Sequence, residues 1–322
     1  MDDVLIGTLV ASTLRVSVPL VLCALAGCLS ERSGVIDLGL EGKMLLTAFA
    51  AASVGAISGS LALALAAAVA VGVALSMLHG YACVTHGGDQ VVLGVAITMI
   101  AAGLTVVLGI AWFSLGGQTP PLPEAVRLHP LFGSAAAAVR AWPLVGPTLA
   151  LALFGHDAFV YGALGAVAAV WWLLYRTRFG LRLRASGENP AMVDAAGVSV
   201  QRMRFAALAL NGVLSALAGS YLVLAMNPSF IPNMTAGRGY MALAAMIFGK
   251  WHPVGALAAC LLFGFLDTAS IRLQGVPLPL VGAVPVQAIQ ALPYVMTVVL
   301  LAGFIGRAVA PQALGRPYVK ER

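Results

Sequence analysis

Residues 90–113 read QVVLGVAITMIAAGLTVVLGIAWF, a stretch without a charged side chain. An α-helix rises about 1.5 Å per residue and the hydrocarbon core of a bilayer is about 30 Å thick, so a helix of this length can cross it. Such a helix is apolar on every side, which is typical of a buried or membrane-spanning position. The stretch therefore predicts a transmembrane helix.

Similar apolar runs recur along the whole chain. Of its 322 residues, 61% are hydrophobic and 9% are charged, whereas soluble domains carry about 25% charged residues. The predicted spans are residues 4–29, 44–58, 61–79, 90–113, 158–175, 205–226, a short 240–248, 254–272 and 285–306. The expected fold class is an all-α membrane protein, a polytopic helical bundle of about nine spans, with residues 1–322 forming a single transmembrane domain.

The distribution of charge predicts the orientation of the chain. The net charge is +6, and the basic residues concentrate in residues 176–204 and 307–322. Short loops rich in lysine and arginine remain in the cytoplasm, so residues 176–204 are expected to form a cytoplasmic loop, with the N-terminus outside and the C-terminus inside. Charges grouped in this way do not indicate a nucleic-acid groove.

Two segments interrupt the apolar pattern with glycine, proline and polar side chains. They are residues 30–43 (SERSGVIDLGLEGK) and 227–240 (NPSFIPNMTAGRGY). Irregular backbone at membrane depth is tolerated only where protein or a water-filled cavity satisfies its amides, so paired interruptions are typical of a transport pathway. Two ordinary short loops would give the same pattern.

The loop 176–204 contains the signals of a short helix. Asn189 suits the N-cap, Pro190 the first helical position, and Gly197 the left-handed position after the last turn. The predicted helix covers residues 190–196, and about two turns are marginal in water. It is expected to dock on a partner as a lever that passes the partner's motion to the membrane; a stiff linker is the alternative.

Five segments carry a resemblance to a known family. They are residues 33–42 (SGVIDLGLEG), 187–190 (GENP) with 195–198 (AAGV), and 237–240 (GRGY) leading to 247–249 (IFG). In this order they resemble the permease subunits of bacterial ABC importers for ribose, nucleosides and branched-chain amino acids. Residues 39–42 (GLEG) are similar to the nucleoside and simple-sugar branch.

The resemblance implies that residues 186–198 form the coupling helix that docks on an ATP-binding subunit. The residues that it places there are Glu188, Asn189, Pro190, Asp194, Ala195 and Gly197. It also implies a multi-pass location in the bacterial inner membrane. The partners it implies are an ATP-binding subunit, a second permease subunit in a heterodimer, and an extracytoplasmic solute-binding protein.

No motif indicates catalysis by the chain itself. A phosphate-binding Gly-x4-Gly-Lys-Ser/Thr loop is absent, as are Gly-x-Ser-x-Gly and His-Glu-x-x-His. ATP hydrolysis is therefore expected in a separate subunit, and no cofactor, metal or catalytic residue is predicted. An ion-coupled secondary transporter of a small polar solute would share the composition and the broken helices.

Polar side chains inside a membrane protein are costly and often functional. For a nucleoside or sugar, the pathway should offer amide groups and an aromatic face. The candidate pathway residues are Asp37, Glu41, Asn211, Asn227, Phe230, Asn233 and Tyr240. Asn211 lies among small residues that allow helices to approach closely, so a hydrogen bond between helices is an alternative role for it.

Overall fold

The computed structural model describes residues 2–140, 146–273 and 309–319, with residues 277–278, 282–283, 288, 291 and 295. The α-helices in this part of the chain are α1 (Asp2–Arg32), α2 (Leu40–Ser58), α3 (Leu61–Gly80), α4 (Gln90–Phe113), α5 (Gly133–Arg140), α6 (Gly146–Leu149), α7 (Ala158–Arg176), α8 (Arg178–Glu188), α9 (Pro190–Ala195), α10 (Val200–Tyr221), α11 (Arg238–Phe248) and α12 (Pro253–Leu273). Five-residue π-helical turns follow at Tyr81–Thr85, Ala150–Phe154 and Leu222–Met226, and a 3₁₀ turn covers Glu124–Val126. Strands β1 (Pro277–Leu278) and β2 (Gly282–Ala283) pair antiparallel.

Seven helices in the described residues are long and apolar enough to cross a membrane. They are α1, α2, α3 with its π turn, α4, α7, α10 with its π turn, and α12. Helix α11 is apolar but shorter. The prediction of an all-α, multi-pass fold is thus confirmed, with helix bounds close to the apolar runs. Apart from residues 288, 291 and 295, the predicted span 285–306 lies outside the described residues, so the count of about nine spans stays a prediction.

The centre of the bundle is formed by α1, α2 and α10. These helices are mostly buried, whereas α3, α4 and α7 expose most of their apolar surface. Small residues allow the central helices to approach: a Cβ added to Gly72 would lie 2.5 Å from the carbonyl oxygen of Gly212, and one added to Gly219 would lie 2.3 Å from that of Met44. Close backbone packing at glycine is a common way to join helices in a membrane.

The first interruption is shorter than the sequence predicts. Helix α1 continues to Arg32 and α2 begins at Leu40, so the irregular segment is residues 33–39. The amides of Ser33 and Val35 still bond to the carbonyl oxygen of Ser30, which extends the helical end. Glu41, predicted to lie on irregular backbone, is therefore a residue of the first turn of α2. The prediction was wrong because it treated polar residues such as Glu31 and Glu41 as loop residues. Both are helical, and each has a buried hydrogen-bond partner on another part of the chain.

The second interruption occupies residues 227–237, and Tyr240 lies on α11 rather than before it. The segment between the end of α10 and the start of α11 is held by the loop that follows α4. The amide of Leu122 donates to the carbonyl oxygen of Pro228 at 2.8 Å, and that of Thr119 donates to Phe230 at 3.2 Å. These bonds supply the backbone partners that irregular structure needs inside a membrane protein.

The helix predicted at 190–196 is present as α9, Pro190–Ala195. The Asn189 side chain accepts the amide of Met192 at 3.1 Å, and Gly197 has a φ of 79°, so both capping predictions are confirmed. The helix is not isolated, however. It follows α8 directly, and Val193 is buried. Helix α8 has one apolar face beside its arginines. The sequence did not predict this helix because its high charge is typical of a loop.

Candidate functional site

A cluster of charged side chains is buried where α1, α2, α3 and α10 meet. The Lys43 ammonium donates to the Asp37 carboxylate at 2.5 Å, and the Nδ1 atom of His79 lies 3.5 Å from the same carboxylate. All three side chains are fully buried. Burial alone would raise the pKa of Asp37, but the Lys43 ammonium holds the pKa of this carboxyl below its ordinary value. Asp37 is therefore an ion-pair partner at the junction of these helices.

Asn211 completes this cluster from α10. Its side-chain oxygen accepts hydrogen bonds from Lys43 at 3.0 Å and from Ser76 at 3.1 Å. Its side-chain amide donates to the carbonyl oxygen of Ala26 at 3.0 Å and to the hydroxyl of Ser30 at 3.4 Å. The oxygen and the nitrogen of the Asn211 side chain thus both bond to other helices, as expected if Asn211 joins helices and does not contact the solute.

Glu41 binds the beginning of α11. One carboxylate oxygen accepts the amide of Gly237 at 2.8 Å and the other accepts that of Gly239 at 2.6 Å. The first amides of a helix have no partner within the helix and carry partial positive charge, so a carboxylate is well placed there. The carboxylate of Glu41 joins α2 to α11.

The remaining candidate pathway residues lie on residues 227–240. Asn227 donates to the carbonyl oxygen of Leu222 at 3.0 Å, and Phe230 is buried with its ring 5.2 Å from that of Phe49 in an edge-on arrangement. Asn233 is exposed and adopts a left-handed backbone with a φ of 57°. Tyr240 exposes 42% of its surface. Only Asn233 and Tyr240 of the seven candidates have exposed side chains.

Lys43, His79 and Ser76 belong to the cluster but were not among the candidates. A lysine at the start of an apolar run requires a buried partner, and this was an available signal. The contact with Asn211 was not predictable, because Lys43 and Asn211 are 168 positions apart. The histidine gave no signal in the sequence beyond its position next to a glycine.

A second group of contacts gathers at one end of the bundle. The amide of Ala313 donates to the carbonyl oxygen of Gly187 at 2.8 Å, and the amide of Gly315 donates to that of Gly34 at 3.1 Å. The Arg204 guanidinium donates to the carbonyl oxygen of Arg316 at 3.1 Å. Residues 309–319, which we call the C-terminal segment, therefore bind segment 33–39, α8 and the first turn of α10 together.

The residues predicted for coupling lie beside this contact. The side chains of Glu188, Asn189, Ala195 and the backbone of Gly197 are exposed, whereas Pro190 and Asp194 are half-buried. Glu188 accepts the amide of Gln312 at 3.3 Å. On α9, Met192 exposes 71% of its surface. Helix α9 thus exposes the face that carries Met192, whereas Val193 on another face is buried.

A multi-pass bundle with a buried charged junction and a broken helical segment is an architecture typical of membrane transport proteins. The family model for the branched-chain amino acid transport system permease component matches residues 9–305. The chain belongs to this family of permeases.

Curated relatives match along nearly the whole chain. The guanosine ABC transporter permease protein NupQ of Bacillus subtilis is 37% identical over 99% of this chain and 99% of its own length. The nucleoside ABC transporter permease protein NupC of Lactococcus lactis is 34% identical over 98% and 97%. A Haloferax volcanii protein named as a glucose ABC transporter permease is 33% identical over 97% and 98%.

Membership of this family confirms the predicted class: a multi-pass permease of the inner membrane belonging to an ABC transporter. It decides against the ion-coupled secondary transporter, which the composition had left open. Within the described residues, no three His, Cys, Asp or Glu side chains converge as metal ligands.

Proposed function

We propose that the chain is the permease subunit of an ATP-driven importer that carries nucleosides. The observation that supports this most is the full-length similarity to two permeases named for guanosine and nucleosides, at 37% and 34% identity. ATP hydrolysis belongs to a separate subunit in this proposal, since the chain has no phosphate-binding loop of its own.

The proposed orientation places α8, α9 and the C-terminal segment in the cytoplasm and the N-terminus outside. Arginines 176, 178, 182, 184, 202 and 204 lie at the end of α7, on α8 and at the start of α10. Tyr175 and Gly187 of the first two helices contact Arg32 at the end of α1, and positive charge favours the cytoplasmic side. The amide contacts of the C-terminal segment with Gly34 and Gly187 support a location at the same end.

The proposed docking site for the ATP-binding subunit is α9. Its exposed residues, with Glu188 and Gly197 on either side of it, form a small raised surface beside the first turn of α10. A second permease subunit and an extracytoplasmic solute-binding protein complete the proposed importer. The exposed apolar faces of α3, α4 and α7 are available to lipid and to the second permease.

The proposed solute path runs along residues 227–240. Asn233 offers an amide and Tyr240 an aromatic face, and both side chains are exposed, which suits the hydrogen-bonding edge and flat base of a nucleoside. Asn227 and Phe230 hold the segment, and Glu41 binds it from the buried side through the amides of Gly237 and Gly239.

The test is uptake by the complex reconstituted in proteoliposomes with its ATP-binding, second permease and solute-binding subunits. We expect ATP-dependent uptake of guanosine that unlabelled nucleosides inhibit and that glucose and leucine do not. We also expect guanosine to stimulate ATP hydrolysis. Uptake of glucose or leucine in preference to any nucleoside would contradict the proposed solute, and uptake driven by an ion gradient without ATP would contradict the proposed mechanism.

A further inference from the structure

Glu41 is a buried carboxylate whose charge is balanced by backbone. Its side chain lies at the start of α2, and its two oxygens accept the amides of Gly237 and Gly239 at 2.8 and 2.6 Å. Among the described residues, no lysine or arginine forms an ion pair with Glu41, and the nearby Lys43 pairs with Asp37 instead. The beginning of α11 has no capping side chain of its own, because its N-cap is Gly237. Glu41 supplies that cap from another helix.

The contact is tight on the α11 side. A Cβ added to Gly239 would lie 2.6 Å from both the Cα and the backbone nitrogen of Glu41. Gly237 has a φ of 81°, in the left-handed region that glycine tolerates best. The backbone of α2 and the first turn of α11 therefore approach closely, and a displacement of one helix acts directly on the other.

The contact continues on the α2 side to the end of the bundle. The first turn of α2 is joined to segment 33–39 by the Lys43–Asp37 ion pair and by the Lys43 amide, which donates to the carbonyl oxygen of Gly39 at 2.8 Å. Segment 33–39 is bound in turn at Gly34 by the amide of Gly315. A Cβ on Gly187 of α8 would lie 2.3 Å from the carbonyl oxygen of Arg32. Close contacts thus run without a gap from α8 to residues 227–237.

We propose that Glu41 is a positioning residue through which movement of α8 and segment 33–39 is transmitted to residues 227–237. It holds the beginning of α11 and does not contact the solute. This inference rests on the proposed function, because it assumes that an ATP-binding subunit moves α8 and α9. The carboxylate suits this role because it satisfies two adjacent amides at once, as a rigid fork would.

Glutamine at this position keeps the shape of the side chain and changes the contact. The Glu41→Gln side chain has one acceptor oxygen, and its NH2 group faces a backbone N–H, so one of the two amides of Gly237 and Gly239 loses its partner. Glu41→Asp keeps the charge but is shorter by one methylene group, so it cannot reach both amides from the same backbone position. Glu124→Gln is the matched control, since Glu124 is an exposed carboxylate of the loop that follows α4.

The reporter is a single thiol on the segment that is expected to move. Ile231 exposes 43% of its surface, and the native cysteines 23, 28, 83 and 260 are all buried. The rate at which Ile231→Cys reacts with a maleimide is measured in the complete reconstituted complex. Two states are compared: nucleotide-free, and ATP-bound with a hydrolysis-deficient ATP-binding subunit.

With native Glu41, we expect the labelling rate to differ between the two states. Glu41→Gln should reduce this ratio of rates by about two- to thirty-fold, the range in which coupling residues act. Subunit assembly and the labelling rate in the nucleotide-free state should stay close to those of Glu124→Gln. A variant that had simply lost its fold would change both of these quantities. If Glu41→Gln fails to assemble, Glu41→Asp replaces it with the same expected loss.

Two results would overturn the inference. A ratio in the assembled Glu41 variant equal to that of Glu124→Gln shows that Glu41 transmits nothing, while the proposed function stands. An unchanged labelling rate with native Glu41, together with ATP hydrolysis that no nucleoside stimulates, contradicts both this inference and the proposed function.

Discussion

At the scale of single residues, the Asp37–Lys43 ion pair joins segment 33–39 to α2 where four helices meet. Both side chains are fully buried, so removing one leaves the other charge without a partner. Breaking a buried pair in this way costs about 3–5 kcal/mol. We expect Lys43→Met to lower the thermal midpoint of the purified protein strongly, as measured by tryptophan fluorescence in detergent.

Two further variants make this prediction specific. Combining Lys43→Met with Asp37→Asn removes both charges and should recover much of the lost stability. Arg127→Met removes the cation of an exposed pair, Arg127–Glu124 at 3.9 Å, and should cost about 0–1 kcal/mol. Equal losses for Lys43→Met and Arg127→Met would show that the buried pair has no special role.

The role of Asn211 can be separated into joining helices and contacting solute. Its side chain makes four hydrogen bonds to three other helices, and such bonds in membrane proteins contribute about 0.6–1.7 kcal/mol each. Asn211→Ala should therefore lower the thermal midpoint and leave the KM for uptake unchanged. A raised KM at unchanged thermal stability would instead assign Asn211 to the solute.

At the scale of elements, the end of α9 depends on a left-handed residue. Gly197 has a φ of 79°, which proline cannot adopt because its ring fixes φ near about −65°. Gly197→Pro, or deletion of residues 190–196, should uncouple ATP hydrolysis from uptake, measured as the number of ATP molecules hydrolysed per solute imported.

Gly59 provides the control for this substitution. It has a φ of 64° at the other end of α2, and a Cβ at either glycine would meet no atom within 4 Å. Gly59→Pro introduces the same backbone conflict away from α9. If both variants change the coupling ratio equally, the effect is one of general stability and not of α9.

The C-terminal segment is expected to restrain the same end of the bundle. Gly315 has a φ of 76°, and a Cβ there would lie 2.9 Å from a side-chain carbon of Ile36. Gly315→Val should therefore detach the segment and increase amide hydrogen exchange in residues 33–39 and 186–188, as followed by mass spectrometry. Gly116→Val, with a φ of 66° and open space around it, should leave exchange in those residues unchanged.

At the scale of the whole molecule, the sequence predicted most of the helices but little of the site. Apolar runs such as residues 90–113 locate spans well because hydrocarbon thickness fixes helix length. Helix α8 was missed because its arginines outweigh its narrow apolar face. Lys43 pairs with Asp37 only six positions away, but its second partner on α10 and the partners of Glu41 at the start of α11 are more than 160 positions away. No local pattern reports contacts at that separation.

The resemblance and the geometry contribute different parts of the account. The motifs at residues 33–42 and 187–198 identified the family that the comparison with known permeases confirmed. They did not reveal that Asp37 and Glu41 are bound by buried partners. A sequence motif indicates which chemistry a residue can perform. The partner of that residue depends on how helices distant in the sequence pack against each other.

The most direct test of the account is a cross-link between α9 and the ATP-binding subunit in the transporting complex. Met192→Cys, exposed on α9 at 71%, and Ile57→Cys, exposed at 74% at the far end of α2, are each labelled with a short cross-linker that carries a maleimide at one end and a photoreactive group at the other. We expect Met192→Cys to link to the ATP-binding subunit and Ile57→Cys not to do so. A complex that transports solute while Met192→Cys never links to that subunit would contradict the proposed docking on α9.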